Sequence, residues 1–396
     1  MLRKIRLFTP GPTPLLPSAQ LAIAAADIHH RTPEFRALYQ RVLGQLKEFI
    51  GTQNDVILLA ASGTGAMEAA VSNLTSPGDK VLVLTAGKFG ERWTSLAKAF
   101  GCNTEVVSAA YGKTFSMEEV RRKVNPDTRV VYMQATETST GVRHDVKAVA
   151  DTLRGSDTLL VVDAITGLGT TTFDVDNWGI DVIIGGSQKA VMIPPGLAYC
   201  AVSERAWQRM EKTQSPRYYF DLRKERKSAA KGESAYTPAV ALIAGLGAAL
   251  DYIAANANGN LVEGRKKLIA NAEICAAMTR EAAKALGIEL FASSAPAAAV
   301  SALIPPGDLD SGVIVKAIKE QFGAVISNGQ GEMKGKLFRI AHLGYFDYLD
   351  TIALIGALEL VMARTYPSRH VEFGSALRNA QVVFAGYSQT GLKATG

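Results

Sequence analysis

Residues 181–196 read DVIIGGSQKAVMIPPG. An apolar run, Asp181–Gly186, leads straight into a loop that carries one lysine, Lys189, and is closed by Pro194 and Pro195. Continuous Val/Ile runs, rather than alternation of apolar and polar residues, mark strands covered on both faces. A lysine at the end of such a strand is out of place as a surface residue. Desolvation there favours the neutral amine, which is the form a Schiff-base nucleophile requires.

Six further runs share the character of the one before Lys189. They are VILLAA (56–61), KVLVLTA (80–86), EVVSAA (105–110), RVVYMQA (129–135), LLVVDAI (159–165) and LAYCAVS (197–203). Helical stretches such as TGAMEAAVSNL, ERWTSLAKAF and DVKAVADTLR lie between them. The alternation predicts an α/β fold with a mostly parallel, seven-stranded sheet. Ligands of such sheets bind beyond the carboxyl ends of the strands, so the residues just after each run matter most.

Past Pro238 the pattern changes. PAVALIAGLGAALDYIAANA reads as a long apolar helix, followed by a helix over roughly 261–286. The runs SALIPP, AVISNGQG and KLFRIAHLG then alternate with helices near 311–322 and 348–364. The expected organisation is an N-terminal segment (1–16), a large domain (17–256), a smaller α+β domain (257–370) and a tail (371–396).

With 396 residues, 47% hydrophobic and 20% charged, the chain is long enough to bury at least one large core. Cys102, Cys200 and Cys275 are widely spaced, which argues against a disulfide framework or a structural zinc site and fits a cytoplasmic setting. His144 and His342 have no partner at metal-ligand spacing, so no metal is expected. No run approaches the ~20 apolar residues of a membrane span. The net charge of +6 is mild and, apart from RKERK at 223–227, dispersed. It indicates small anionic substrates rather than nucleic acid.

Three strand-end features carry chemistry. Ser62-Gly63-Thr64-Gly65 follows VILLAA and opens a helix, where backbone N–H groups and a hydroxyl can hold a phosphate. The same stretch also reads as a plain helix cap, with Ser62 or Thr64 as the capping hydroxyl. It is neither the dinucleotide nor the ATP glycine fingerprint, which disfavours an NAD-dependent dehydrogenase. Asp163 closes LLVVDAI, and a carboxylate there is costly without a cationic partner. Phosphate cradle, Asp163 and Lys189 together form a constellation for pyridoxal 5'-phosphate (PLP), whose ring nitrogen needs a carboxylate and whose aldehyde needs an amine.

The chain resembles the class V (fold type I) PLP-dependent aminotransferases of the alanine/serine–glyoxylate (serine–pyruvate) group. The resemblance rests on FTPGPTP, SGTGAMEAA (62–70), TETSTGV (136–142), VVDAITGLG (161–169), GSQKAVMIPPG (186–196), YTPAV (236–240) and RIAHLG (339–344), in the family's order. It implies Lys189 as the Schiff-base lysine and Asp163 as the ring-nitrogen partner. Ser62, Gly63, Thr64 and Gln188 would hold the phosphate, Phe89 would stack on the ring, and Thr138 would lie near the ring's 3-oxygen. Thr237 would reach the neighbouring subunit's phosphate, which implies a homodimer with shared sites. Ser234 and Tyr236 stay open as further phosphate contacts. Arg339 would clamp the substrate carboxylate through paired hydrogen bonds, with the Gly11 backbone nearby.

The implied activity is transfer of an amino group from alanine or serine to a 2-oxo acid, glyoxylate or pyruvate. Pyridoxamine–pyruvate and phosphonate aminotransferases are alternatives within the class, and a non-catalytic scaffold protein is an alternative outside it. A cysteine desulfurase would need a mobile cysteine near the site, which none of the three positions offers.

Overall fold

The computed structural model describes residues 4–307, 309–366 and 371–392. Seven strands form the central sheet: β1 (Asp55–Leu59), β2 (Lys80–Thr85), β3 (Asn103–Ser108), β4 (Thr128–Gln134), β5 (Leu159–Asp163), β6 (Val182–Gly186) and β7 (Ala198–Val202). Their order across the sheet is β1-β7-β6-β5-β4-β2-β3. The neighbours from β6 through β3 run parallel, whereas β7 is antiparallel to both β1 and β6. The sheet is thus mostly parallel, as the unbroken apolar runs predict.

Those runs are continuous because both faces of the sheet are packed. Successive residues of one strand enter opposite clusters. Leu58, Leu82, Leu84, Val131, Met133, Leu160, Val162 and Ile183 face one side. Ile57, Leu59, Val81, Val83, Val130, Tyr132, Val161 and Ile184 face the other. Helices α1 (Pro33–Ile50), α2 (Gly63–Leu74), α3 (Lys88–Ala99), α4 (Val240–Ala255) and α5 (Leu261–Ala285) follow in chain order. Residues of α1 and α4 join the first cluster, and residues of α2 and α3 join the second.

A second sheet lies further along the chain. Strands β8 (Glu289–Leu290), β9 (Val300–Ile304), β10 (Ser327–Asn328) and β11 (Phe338–Ala341) pair in the order β8-β9-β11-β10. Helices α6 (Ser311–Phe322), α7 (Tyr348–Thr365) and α8 (Ser375–Leu392) accompany it. One apolar cluster joins Cys275 and Met278 of α5 to Ile314, Phe338, Ile340, Leu358, Ala376 and Ala380. The segment after residue 370, for which the sequence offers no placement, thus contributes a helix to this core. Among the described residues, no helix is long and apolar enough to cross a membrane.

The N-terminal segment spans the two sheets. Arg6–Leu7 pairs in parallel with Ala324–Val325, and the Ala341 amide donates to the Phe8 carbonyl at 2.9 Å. The chain then reaches the loop after β6, where the Thr13 amide donates to the Gln188 carbonyl at 3.2 Å and the Leu16 amide to that of Met192 at 2.9 Å.

Two glycines test this packing in opposite directions. A Cβ on Gly264 of α5 would lie 2.2 Å from the Ile253 carbonyl oxygen of α4, whereas one on Gly44 of α1 would meet nothing within 4 Å. Gly264→Ala is expected to lower stability by about 1–3 kcal/mol, since backbone must give way. Gly44→Ala is expected to raise it by up to about 1 kcal/mol, through helix propensity alone. Chemical denaturation of the two variants against the parent chain checks both signs.

Candidate active site

Because β5 and β6 are parallel neighbours with Asp163 in register with Ile184, Asp163 and the loop after Gly186 emerge at the same edge. A cavity of about 250 Å³ opens there. Gly11, Ser62, Gly63, Thr64, Phe89, Thr138, Asp163, Gln188 and Lys189 all line it, and Arg92, Thr136, Ile165 and Thr166 complete much of its wall. Nine of the residues singled out in the sequence are thereby brought together from separate parts of the chain.

The cradle side is built by the turn from β1 into α2. Ser62 holds the N-cap position with extended backbone, yet its side chain makes no capping hydrogen bond. Its hydroxyl and the first N–H groups of the helix are left for a ligand, so the plain-cap alternative is not what the side chain does. A Cβ on Gly63 would lie 2.2 Å from Ile165 Cδ1, so a larger residue here would displace the Ile165 side chain that lines the cavity. Gln188 Oε1 and Thr136 Oγ1 are buried with no hydrogen-bond partner among the described residues.

Lys189 is 9% exposed, and its amine donates to the Pro10 carbonyl oxygen. A Cβ on Gly11 would sit 2.6 Å from Lys189 Nζ, so glycine there leaves room for the amine. Burial lowers the Lys189 pKa to about 8, opposed by Asp163 and helped by the charge of Arg339. Burial raises Asp163 to about 6, opposed by the Ile165 amide and the Lys189 charge. That amide donates to Asp163 Oδ1 at 2.9 Å.

Arg339 is buried on β11, behind Thr138. Its Nη1 donates to the Thr138 carbonyl at 3.1 Å, while Nε and Nη2 donate to the Asn328 carbonyl at 3.3 and 2.9 Å. A guanidinium has five N–H groups, so one remains on each terminal nitrogen, the pair that grips a carboxylate end-on. Burial lowers the Arg339 pKa to about 10, which leaves it charged at neutral pH.

Sequence reasoning passed over Glu137. This fully buried carboxylate accepts from the amides of Phe89 (3.1 Å), Gly90 (3.0 Å) and Ser139 (3.1 Å) and from the Ser139 hydroxyl (2.5 Å). It joins the start of α3 to the loop holding Thr138, whose hydroxyl donates to Thr166 Oγ1 at 2.8 Å. Asn328 and Arg92 were also unremarked. Their signal was faint: a carbonyl acceptor leaves no mark in a sequence, while the spacing of Phe89 and Arg92 in KFGERW puts both on one helix face.

Thr237 is not at this cavity. It is exposed and lines a separate small hollow with Tyr39, Tyr219, Glu225 and Ser234. There Ser234 donates to Glu225 at 3.3 Å, and the Tyr236 hydroxyl donates to the Tyr218 carbonyl at 2.8 Å. The three cysteines are buried and absent from the cavity lining. Among the described residues, no three His, Cys, Asp or Glu side chains are grouped to hold a metal ion.

The opposing charges give a signed expectation for the Lys189 amine. Its protonated form is lost near pH 8 in the folded chain, against 10.5 in the ordinary lysine. Asp163→Asn removes a group that raises this value and should move the midpoint down. Arg339→Gln removes one that lowers it and should move the midpoint up. The pH profile of amine modification in the cofactor-free protein, read at Lys189 by peptide mass analysis, checks both directions.

Comparison with known proteins accords with this geometry. Residues 19–329 match the family model described as aminotransferase class-V. The chain is 38% identical to the 42 kDa subunit of a soluble hydrogenase of Anabaena cylindrica, covering 91% of this chain and 93% of that one. It is 34% identical to the L-aspartate–glyoxylate aminotransferase of Paracoccus denitrificans, covering 95% of both. The crystal structure of pyridoxamine–pyruvate aminotransferase from Mesorhizobium loti superposes with a TM-score of 0.89 at 26% identity, covering 97% of this chain and 98% of that one. With its strand-end lysine and aspartate in one cavity and the family model matched over most of its length, the chain belongs to the class V aminotransferases, which depend on pyridoxal phosphate.

Proposed function

We propose that this aminotransferase moves the amino group of a small amino acid, alanine or serine, to a 2-oxo acid, glyoxylate or pyruvate. The observation that carries the reading is the pairing of a neutralisable amine, Lys189, with a carboxylate, Asp163, in one cavity, with the Arg339 guanidinium bonded to the Thr138 carbonyl of its wall and its charge acting on Lys189. The residues present fit pyridoxal phosphate: Thr136 carries an unpartnered hydroxyl and lines the cavity together with Gln188, and the Ser62–Thr64 turn offers free donors at a helix N-terminus. Ser62, Gly63, Thr64 and Gln188 would hold the phosphate, Phe89 one face of the ring, and Asp163 its protonated nitrogen.

When bound, that cofactor supplies an electron-poor ring that accepts the negative charge left on the substrate Cα. The chain does the rest. Arg339 takes the substrate carboxylate on its two free N–H groups and fixes the Cα position. Lys189, with a pKa near 8, is close enough to neutral pH to take a proton from Cα as a base and then, as an acid, to deliver it away from Cα so that the amino group can be left behind. Thr138, hydrogen-bonded to Thr166 and bonded through its carbonyl to Arg339, holds the wall between cofactor and substrate.

The lining residues support a small donor. Their cations are Lys189 and Arg92, and Arg92 is bound to Thr64 on the cradle side. No further cation among the described lining residues awaits a side-chain carboxylate. The reading extends to a homodimer with shared sites, in which Thr237 serves the partner's cofactor. What supports this is that Thr237 is exposed and lies away from its own chain's Lys189 cavity.

Adding alanine, serine or aspartate to protein reconstituted with pyridoxal phosphate tests the proposal through the visible cofactor band and through product formation from glyoxylate and pyruvate. Alanine or serine should discharge the band faster than aspartate. Lys189→Ala should lose at least about 10⁴-fold in turnover. Arg339→Gln should lose about 10²-fold in kcat/KM, the worth of a charge-assisted pair. A band that answers only to aspartate would overturn the donor assignment.

A further inference from the structure

Arg92 has been given no role so far. It projects from α3 one turn beyond Phe89 and lines the cavity. Its Nη1 donates to Thr64 Oγ1 at 3.0 Å, and its guanidinium carbon lies 5.2 Å from the centre of the Phe89 ring. Among the described residues it forms no ion pair with a carboxylate. Its positive charge nevertheless reaches the site, because it holds Asp163 below the value that burial alone would give. A cation in a cavity wall that lacks a carboxylate partner is free to take an anion from outside the chain.

The Thr64 contact says where that anion sits. A hydroxyl has one hydrogen to give. Since Thr64 Oγ1 accepts from Arg92, its own O–H is free to donate elsewhere, and Thr64 is the second residue of α2. The hydroxyl, the neighbouring helix N-terminus and the remaining guanidinium N–H groups therefore stand together as donors. The Phe89 contact fixes the other coordinate. Residues three apart share a helix face and lie ~4.5 Å apart along the axis. One face of α3 thus offers a flat aromatic surface and, next to it, a cation, which matches a planar ring carrying a phosphate on a one-carbon arm. The ring of Phe89 also restrains the guanidinium by a cation–π contact.

We infer that Arg92 binds the cofactor's phosphate, through its own N–H groups and through the Thr64 hydroxyl it orients, and that it sets the position of Phe89 against the cofactor ring. The inference rests on the proposed use of pyridoxal phosphate at Lys189. It differs from a role in substrate choice, where the same cation would take the distal carboxylate of a donor such as aspartate.

The test compares two probes that differ only in the phosphate. Full-length cofactor-free protein, the Arg92→Ala and Arg92→Lys variants are titrated with pyridoxal 5'-phosphate and with pyridoxal, and the visible band is followed. Arg92→Ala should weaken binding of the phosphate ester about 10- to 100-fold and that of pyridoxal by less than about threefold. Arg92→Lys, which keeps the charge but loses the planar fork, should recover part of the loss. Equal losses for both probes would reduce Arg92 to a packing role and overturn the inference. So would unchanged affinity for the phosphate ester accompanied by a raised KM for aspartate. If the unmodified chain took up neither probe at Lys189, the cofactor reading itself would fall, and this inference with it. A parent chain that binds both, with an indifferent Arg92→Ala, overturns the inference alone.

Discussion

Asp163 and Lys189 are two ionisable groups of opposite sign placed where adjacent parallel strands end, with packed apolar layers on either side. Burial pushes the acid up and the amine down, and each partner's charge pushes the other back toward ionisation. The outcome is a carboxylate and an amine that both titrate within reach of neutral pH. Removing one of them takes a compensating charge away from the other, and a buried charge without compensation is costly. The apolar sheet is what makes this arrangement tenable, because it fixes both strand ends without help from the charged groups. Stability is supplied by the packed layers and reactivity by the edge.

Glu137 relates the two sides of the cavity to each other. Its four accepted hydrogen bonds hold the first turn of α3, and hence Phe89, against the loop of Thr138. The Thr138 carbonyl then receives Arg339 from the second sheet. Phe89 and Arg339 are therefore registered through one buried carboxylate, whose negative charge also raises the Arg339 pKa. A Cβ on Gly87 would lie 2.6 Å from the Glu137 carboxyl carbon, and one on Gly90 would lie 2.6 Å from Thr85 Oγ1 and 2.7 Å from Gln134 Nε2. Gly87 thus makes room for a side chain fifty positions further along the chain, and Gly90 for two side chains of the sheet, rather than for a ligand.

Much of this was legible in the sequence, for a definite reason. A strand buried on both faces must be apolar at every position, so the seven runs stood out, and a charge at the end of such a run is conspicuous. Lys189 and Asp163 could be read for that reason. The direction of β7 could not, because LAYCAVS carries the same apolar pattern whether the strand runs with its neighbours or against them. The acceptors of Arg339 are backbone carbonyls of Thr138 and Asn328, and any residue could supply them. Arg92 blended into a helix with other charged residues, and Glu137 into a motif whose hydroxyls drew the attention. Helix α8 was illegible because its burial depends chiefly on α5, which ends ninety residues before it in the chain.

The strap formed by residues 6–16 bears on how the molecule comes to be finished. At one end it pairs with Ala324–Val325, and in the middle its Pro10 carbonyl receives the amine of a lysine 179 positions away. The Pro10 contact needs the chain only as far as the loop after β6, whereas the pairing with Ala324–Val325 needs the second part of the fold, and contacts this distant in sequence are slow to close. The central sheet can assemble around its own core beforehand, so the strap over Lys189 is fastened at both ends only after that later part has folded. A molecule in which only the central sheet had folded would hold Lys189 and Asp163 without a strap fixed at both ends. The shape of the cavity therefore depends on a part of the chain that does not line it.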